Sequence, residues 1–350
     1  MTQAMTSSPN PVLVTLTRGK LPESRHRGAL IVMRDDGRII ASLGDTAAPV
    51  FPRSAVKALQ AIPLVESGAA DAFRLTDAEL AIACASHGGE PEHVSTVRGL
   101  LEKTGGTESD LACGAHWPTH AASARALFAA GGEPGRIHNN CSGKHAGMIA
   151  LSRFLGVEPE GYEAPEHPVQ KRIRAVLEEM SGASLSADVC GTDGCSVPTW
   201  AMPLESLARA FARFSRGRGL PEVRSKACAR LRQACFAAPF MVAGSERFCT
   251  LVMQRLKGKA FVKTGAEGVF CAALPEAGVG IALKIDDGAA RASEAVTAGL
   301  LEAMIADAGG TLEGLGEGVL TNWAGLEVGA RRFAGDLKQL LAALREEGAG

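Results

Sequence analysis

Segments with strand character lie at the two ends of this chain, and what separates them, roughly residues 51–240, is Ala- and Leu-rich with helical spacing. Near the start, residues 28–33 and 38–43 flank Asp35-Asp36-Gly37, the signature of a short hairpin. Near the end, residues 249–254, 260–263, 269–274 and 279–284 are separated by turn-rich tripeptides and tetrapeptides, which predicts an antiparallel meander. Strands that cluster instead of alternating with helices predict an α+β fold and argue against parallel βαβ units. The N- and C-terminal segments are therefore expected to pair into one antiparallel sheet flanked by helices, with a large helical insertion lobe between them. Residues 10–50 and 245–350 would form the sheet-bearing lobe, residues 51–244 the mainly helical one, and the active site would lie between the two. The apolar period predicts helices over 54–66, 76–85, 91–103, 120–130, 143–155, 168–180, 204–214, 221–236 and 289–306, then a Gly-rich stretch over 309–329 and a terminal helix over 332–347.

At about 150 residues per domain, 350 residues suit one large or two modest domains. An apolar content of 46% and a mean hydropathy of +0.07 exclude global disorder. The 37 Lys and Arg nearly cancel the 38 Asp and Glu, and no basic stripe stands out, which disfavours a nucleic-acid partner. No window approaches the ~20 apolar residues that span a bilayer. The segment 1–19 is polar and proline-broken, without the charged start and apolar centre of an export signal. Nine cysteines, an odd and modest number, are expected to be mostly reduced, in cytoplasm. These features together suit a cytoplasmic enzyme acting on a small molecule.

Three short motifs carry chemistry. In Pro52-Arg53-Ser54-Ala55-Val56-Lys57, positions i and i+3 of a helix start are neighbours, so the Ser54 hydroxyl and Lys57 amine are expected to meet. Serine needs a base to become a nucleophile, and a lysine serves as that base once burial or another cation lowers its pKa. Ser86 follows a predicted helix and precedes His87-Gly88-Gly89, where glycines allow close backbone approach. Lys263-Thr264-Gly265 sits on a strand of the meander. The order of the three reproduces the layout of serine β-lactamases and penicillin-binding proteins. The middle motif lacks an asparagine two places after its serine, which points away from β-lactam chemistry. Lys57 and Lys263, brought together, would each lower the other's pKa.

Two polar loops add cysteine and histidine: His138-Asn139-Asn140-Cys141-Ser142-Gly143-Lys144-His145, and the segment from Asp188 to Cys195. Coordination chemistry alone would select Cys141, His145 and two of Cys190, Asp193 and Cys195 as zinc ligands. Buried apolar thiols or a loop hydrogen-bond network are the blander readings.

Taken together, these motifs resemble the rhizobial-type (class 3) L-asparaginases, from about residue 13 to residue 306, and the Cys-Ser-Gly-Lys-His loop is the most specific part. The resemblance implies a serine β-lactamase-like fold, a homodimer, and hydrolysis of L-asparagine to L-aspartate and ammonia. It implies two catalytic Ser-Lys tandems, Ser54 with Lys57 and Ser86 with Lys263. It also implies zinc held by Cys141, Lys144 and Cys195, and Arg53, His145 and Asp193 lining the substrate site. The expected reaction is attack by Ser54, with Ser86 relaying a proton to the leaving group. Backbone N–H groups at the helix start and near Gly265 would stabilise the oxyanion. A β-lactamase-like hydrolase or peptidase, and a non-catalytic protein binding zinc and an amino acid, are the alternatives.

Overall fold

The computed structural model describes residues 9–308 and 310–348. The first eight residues of the segment read above as lacking an export signal lie outside them, as do Gly309 and the last two residues of the sheet-bearing segment.

Eight strands form one antiparallel sheet whose order interleaves the chain ends. Gly318–Thr321 is at one edge, followed by Glu327–Phe333, Val12–Arg18, Leu21–Arg34, Val279–Ile285 and Val269–Leu274, with Phe261–Thr264 at the other edge. Ile39–Leu43 pairs with Leu21–Arg34 off this path, across the turn predicted at Asp35-Asp36-Gly37. The α+β architecture expected from the clustering of strands is the one observed.

Residues 29–33, 269–274 and 279–283 are buried without interruption. Successive side chains of a strand point to opposite faces, so unbroken burial means both faces of the central strands are covered. Leu204–Arg216 packs against Leu21–Arg34, Val269–Leu274 and Val279–Ile285, so this helix from the middle of the chain belongs to the cover of the sheet. Ala290–Met304 packs against Val12–Arg18, Val269–Leu274 and Val279–Ile285. Ile62–Glu66, Ala69–Ala72, Asp77–Ala83, Pro91–Lys103 and Pro168–Ser181 pack around Ser142–Phe154, whose residues 142–152 are all buried. No helix among the described residues is long and apolar enough to cross a membrane.

Three expectations are corrected. The apolar run 249–254 is not a strand but part of the helix Phe248–Leu256. Short apolar runs fit a buried helix as well as a strand, and this one is capped by Lys257 in the left-handed conformation before the true edge strand begins. The stretch read as Gly-rich contains the hairpin Gly318–Thr321 with Glu327–Phe333, and the terminal helix starts only at Gly335. Val12–Arg18 is a strand inside the segment read as merely polar.

Candidate active site

The predicted helix over 54–66 begins as a 3-10 turn, Arg53–Val56, and continues as Lys57–Gln60 and Ile62–Glu66. The break falls just before Pro63, which cannot donate a backbone hydrogen bond. Arg53 opens the turn with φ +50°, a left-handed conformation that costs a non-glycine residue about 1 kcal/mol or more and is held by its surroundings. Its guanidinium donates to Asp193 Oδ1, which fixes the strained residue to the second cysteine loop.

Lys57 is fully buried. Its Nζ donates to Ser86 Oγ at 2.9 Å and to the Ala85 carbonyl at 2.7 Å, and lies 3.1 Å from Cys141 Sγ. Lys263 Nζ donates to the same Ser86 Oγ at 2.8 Å and to the Thr264 carbonyl at 3.0 Å. One hydroxyl therefore joins two buried amines. The Ser54 hydroxyl is half-buried and makes no hydrogen bond among the described residues, so the Ser54–Lys57 contact expected from i,i+3 spacing is not formed here. The geometry couples Ser86 to both lysines instead.

Two close approaches hold this arrangement. A Cβ on Gly265 would sit 2.8 Å from the Pro52 carbonyl, so only glycine lets the edge strand abut the turn that carries Ser54. A Cβ on Gly143 would overlap the carbonyl of Ile82, which is why the Cys141 loop can press against the helix Asp77–Ala83 that delivers Ser86. The expected oxyanion donor at Gly265 is not available, because its N–H is bonded to Val269 O at 2.8 Å. The Ser86 N–H is likewise engaged, on Val242 O. The first N–H groups of the 3-10 turn remain, and Ala55 N–H is the first of that turn bonded within it.

Burial, and then the charge of Lys57, push the Lys263 amine down to about 7, so near neutral pH it exists in both protonation states. Cys141 is held well below the usual thiol range by a hydrogen bond from Cys195 and, against burial, by the charges of Lys57 and Lys144. The Cys195 thiol, which donates that bond, is pushed up. Burial opposes a charged Lys144, but Cys141 and Cys195 outweigh it and push the amine up to about 12. Lys144 Nζ lies 2.9 Å from Cys195 Sγ, and Asp193 Oδ2 lies 3.5 Å from that sulfur. Burial raises the Asp193 carboxyl, yet Lys144 and Arg53 hold it below its ordinary value.

Cys141, Lys144 and Cys195 thus converge, with Asp193 beside them. Cys190 does not join; its thiol faces the Gly191 carbonyl on the strand Cys190–Thr192. Among the described residues no group of three His, Cys, Asp or Glu side chains is disposed to hold a metal, so the set chosen from coordination chemistry alone does not form. A metal here needs the Lys144 nitrogen. Two sulfurs and an amine in mutual contact are a donor set that suits zinc.

Two supporting residues were not singled out in the sequence. His87 accepts from Gly89 N–H on Nδ1, which leaves the proton on Nε2 to donate to Ser142 Oγ at 2.9 Å. That bond ties the Ser86 loop to the helix start beside Cys141. Burial, then His93 and Lys57, hold His87 neutral. His93 stacks on His87 at 5.0 Å and on Phe240 at 4.6 Å. The interleaved Ser-His-Gly-Gly-Glu-x-x-His spacing was the signal, and its meaning depends on contacts too distant in sequence to read.

The model of a family described as L-asparaginase II matches residues 14–333. No significant sequence match was found among curated proteins. The chain is similar to a structure of simvastatin synthase from Aspergillus terreus, at 12% identity and TM-score 0.38, covering 74% of this chain and 86% of that one. It is also similar to a β-lactamase from Mycobacterium bovis, at 17% identity and TM-score 0.37, covering 76% and 89%.

Proposed function

The chain belongs to the L-asparaginase II family, and on that premise we propose that it hydrolyses the side-chain amide of L-asparagine, giving L-aspartate and ammonia through an acyl-enzyme. The observation that supports the reading most is Ser86 Oγ, held at 2.9 Å by Lys57 and at 2.8 Å by Lys263. Such a chain lets a single proton vacancy be shared between two amines across one hydroxyl.

Ser54 is the attacking residue in this reading, because its hydroxyl is unengaged and partly accessible while Ser86 is buried between the lysines. As the Ser54 Oγ–C bond forms, the hydroxyl proton passes to Lys57, a contact that closes when substrate is bound. The C–N bond then breaks as ammonia takes a proton relayed through Ser86. Water adds to the acyl carbon as it gives a proton to Lys57, the Ser54 O–C bond breaks as that proton returns to Ser54 Oγ, and aspartate leaves. The free N–H groups of the 3-10 turn face the developing oxyanion, each such donor being worth about 3–4 kcal/mol. Ammonia release from L-asparagine, with no hydrolysis of the β-lactam nitrocefin, is the expected result. Nitrocefin turnover without ammonia release would move the chain to the β-lactamase-like reading, and binding of the amino acid with neither activity would leave a binding protein. L-Glutamine is to be assayed beside L-asparagine, since one methylene in a pocket changes specificity by only about 1–3 kcal/mol.

Zinc held by Cys141, Lys144 and Cys195 is part of the same proposal, with Arg53, Asp193 and His145 lining the substrate site. When bound, the ion supplies positive charge toward the amino-acid end of the substrate. The residues' own part is to present two sulfurs and a deprotonated amine, which makes binding release protons. Protein prepared without chelator is expected to carry one zinc per chain by elemental analysis, and Cys195→Ser to lose it. A metal-free wild type with full activity would remove zinc from the account. A cytoplasmic homodimer completes the reading, checked by light scattering on the purified protein and by cell fractionation.

A further inference from the structure

Tyr162, the only tyrosine of the chain, is almost fully buried beside His145. Its hydroxyl oxygen accepts from Ala112 N–H at 2.8 Å and lies 2.5 Å from His145 Nδ1. The two rings meet edge to face at 5.5 Å. No third partner for the hydroxyl exists among the described residues, so its proton has a single acceptor available, the Nδ1 of His145. An imidazole that accepts on Nδ1 carries its own proton on Nε2.

His145 Nε2 is fully buried and has no hydrogen-bond partner. A buried donor left without an acceptor costs about 1–3 kcal/mol, which the surrounding fold must offset. Position matters too. His145 bonds from its backbone N–H to the Cys141 carbonyl, one helical turn below, so it shares a helix face with the residue that touches Lys57. His145, whose Nε2 lacks a partner, therefore stands on the same helix face as Cys141.

We propose that Tyr162 is a positioning residue: by donating to His145 Nδ1 it fixes the imidazole proton on Nε2, and that N–H donates to an acceptor oxygen of the bound amino acid. This rests on the reading of the site given under Proposed function and adds to it a tautomer, a direction of hydrogen bonding and a residue outside the motifs. The turn around Tyr162 is itself held, through Tyr162 N–H on Pro159 O and Gln170 Nε2 on the Tyr162 carbonyl, so the phenol is a fixed support for the ring.

Histidine-selective 15N labelling reads the tautomer in the free enzyme without any activity, with His145→Gln identifying the resonances. The expected spectrum has Nδ1 as the unprotonated nitrogen and Nε2 as the protonated one, and the Nε2 signal shifts when L-aspartate is added. Tyr162→Phe is expected to move the proton at least partly to Nδ1 and to raise KM for L-asparagine about tenfold, with kcat changed less. The proposal is overturned if the wild type carries the proton on Nδ1, or if Tyr162→Phe keeps both tautomer and KM. Should the phenylalanine variant not fold, the wild-type spectrum and its response to L-aspartate still decide the matter. A wild type that neither hydrolyses L-asparagine nor binds L-aspartate overturns the functional reading instead, and the free-enzyme tautomer keeps the two failures apart.

Discussion

Ser54→Ala is expected to lower kcat for L-asparagine by about 10⁴-fold or more, since losing a nucleophile removes the covalent route and leaves only binding and oxyanion stabilisation. Ser86→Ala should lower it by about 10²–10⁴-fold, the usual worth of a general acid–base relay. The two substitutions also differ structurally. The Ser54 hydroxyl makes no hydrogen bond among the described residues, so its loss leaves nothing unpaired there, whereas removing the Ser86 hydroxyl takes one acceptor from each of two buried lysines. Ser86→Ala is thus expected to lower the melting temperature and Ser54→Ala to leave it almost unchanged. Trapping with a reactive substrate analogue, followed by peptide mass spectrometry, should place the covalent adduct on Ser54. An adduct on Ser86, with Ser54→Ala still active, would exchange their roles.

Much of the helical framework was legible because helical period is local. The predicted 91–103 matches Pro91–Lys103, where Pro at the first helical position is a strong start signal, and 168–180 matches Pro168–Ser181 within a residue. The sheet was legible in plan, because strands gathered at the two chain ends have few ways to pair other than with each other. Its edges were less so. Val12–Arg18 alternates well enough to be read as a strand, but Pro9 and Pro11 immediately before it read as loop. Glu327–Phe333 carries Arg331 and Arg332 and has only two buried residues, so it lacks the apolar stripe that marks a half-buried strand.

The candidate site was legible as a list and not as a geometry. Ser54, Lys57, Ser86 and Lys263 were all singled out; the contact of Ser86 with Lys263, implied by the resemblance, is present, whereas the one between Ser54 and Lys57, expected from i,i+3 spacing, is not. The structure puts the Lys57 amine on Ser86, 29 positions away, because Arg53–Val56 is a 3-10 turn and the Lys57 amine reaches the Ala85 carbonyl just beyond the helix Asp77–Ala83. Spacing rules describe neighbours within one helix, and a buried amine goes where acceptors compensate its desolvation. Cys190 shows the same limit from the other side: it sits in the right loop, but strand pairing with Trp200 fixes its place away from Cys141. Tyr162 and His87 act through single hydrogen bonds to residues 17 and 55 positions away, and nothing in their flanking sequence announces this.

Lys263 carries the second large effect. Its amine is lowered to about 7 by burial and by Lys57, while a lysine in the unfolded chain titrates near ~10.4. Activity needs it neutral in this reading, so kcat/KM is expected to rise with pH through about 7 and to fall about tenfold per unit below that. Lys263→Met keeps the length of the chain, removes the amine that shares the proton vacancy with Lys57 through Ser86, and is expected to cut kcat about 10²–10⁴-fold while erasing that acid limb. Stability moves in the same direction, over a higher pH window. Between about 7 and ~10.4 the unfolded state binds the proton that the folded state has released, so this group makes the wild type more stable as pH rises through that window. Below about 7 the penalty for a charged buried amine is fully present. Lys263→Met has no such proton to bind, so denaturant unfolding at a series of pH values should show a weaker rise in stability across the window than in the wild type. If the variant keeps the acid limb, the group that titrates near neutrality is not Lys263, and the role given to it fails even if the enzyme is an asparaginase. If the limb vanishes and the stability slope flattens together, both effects trace to one amine that the fold holds in a dry site beside a second positive charge.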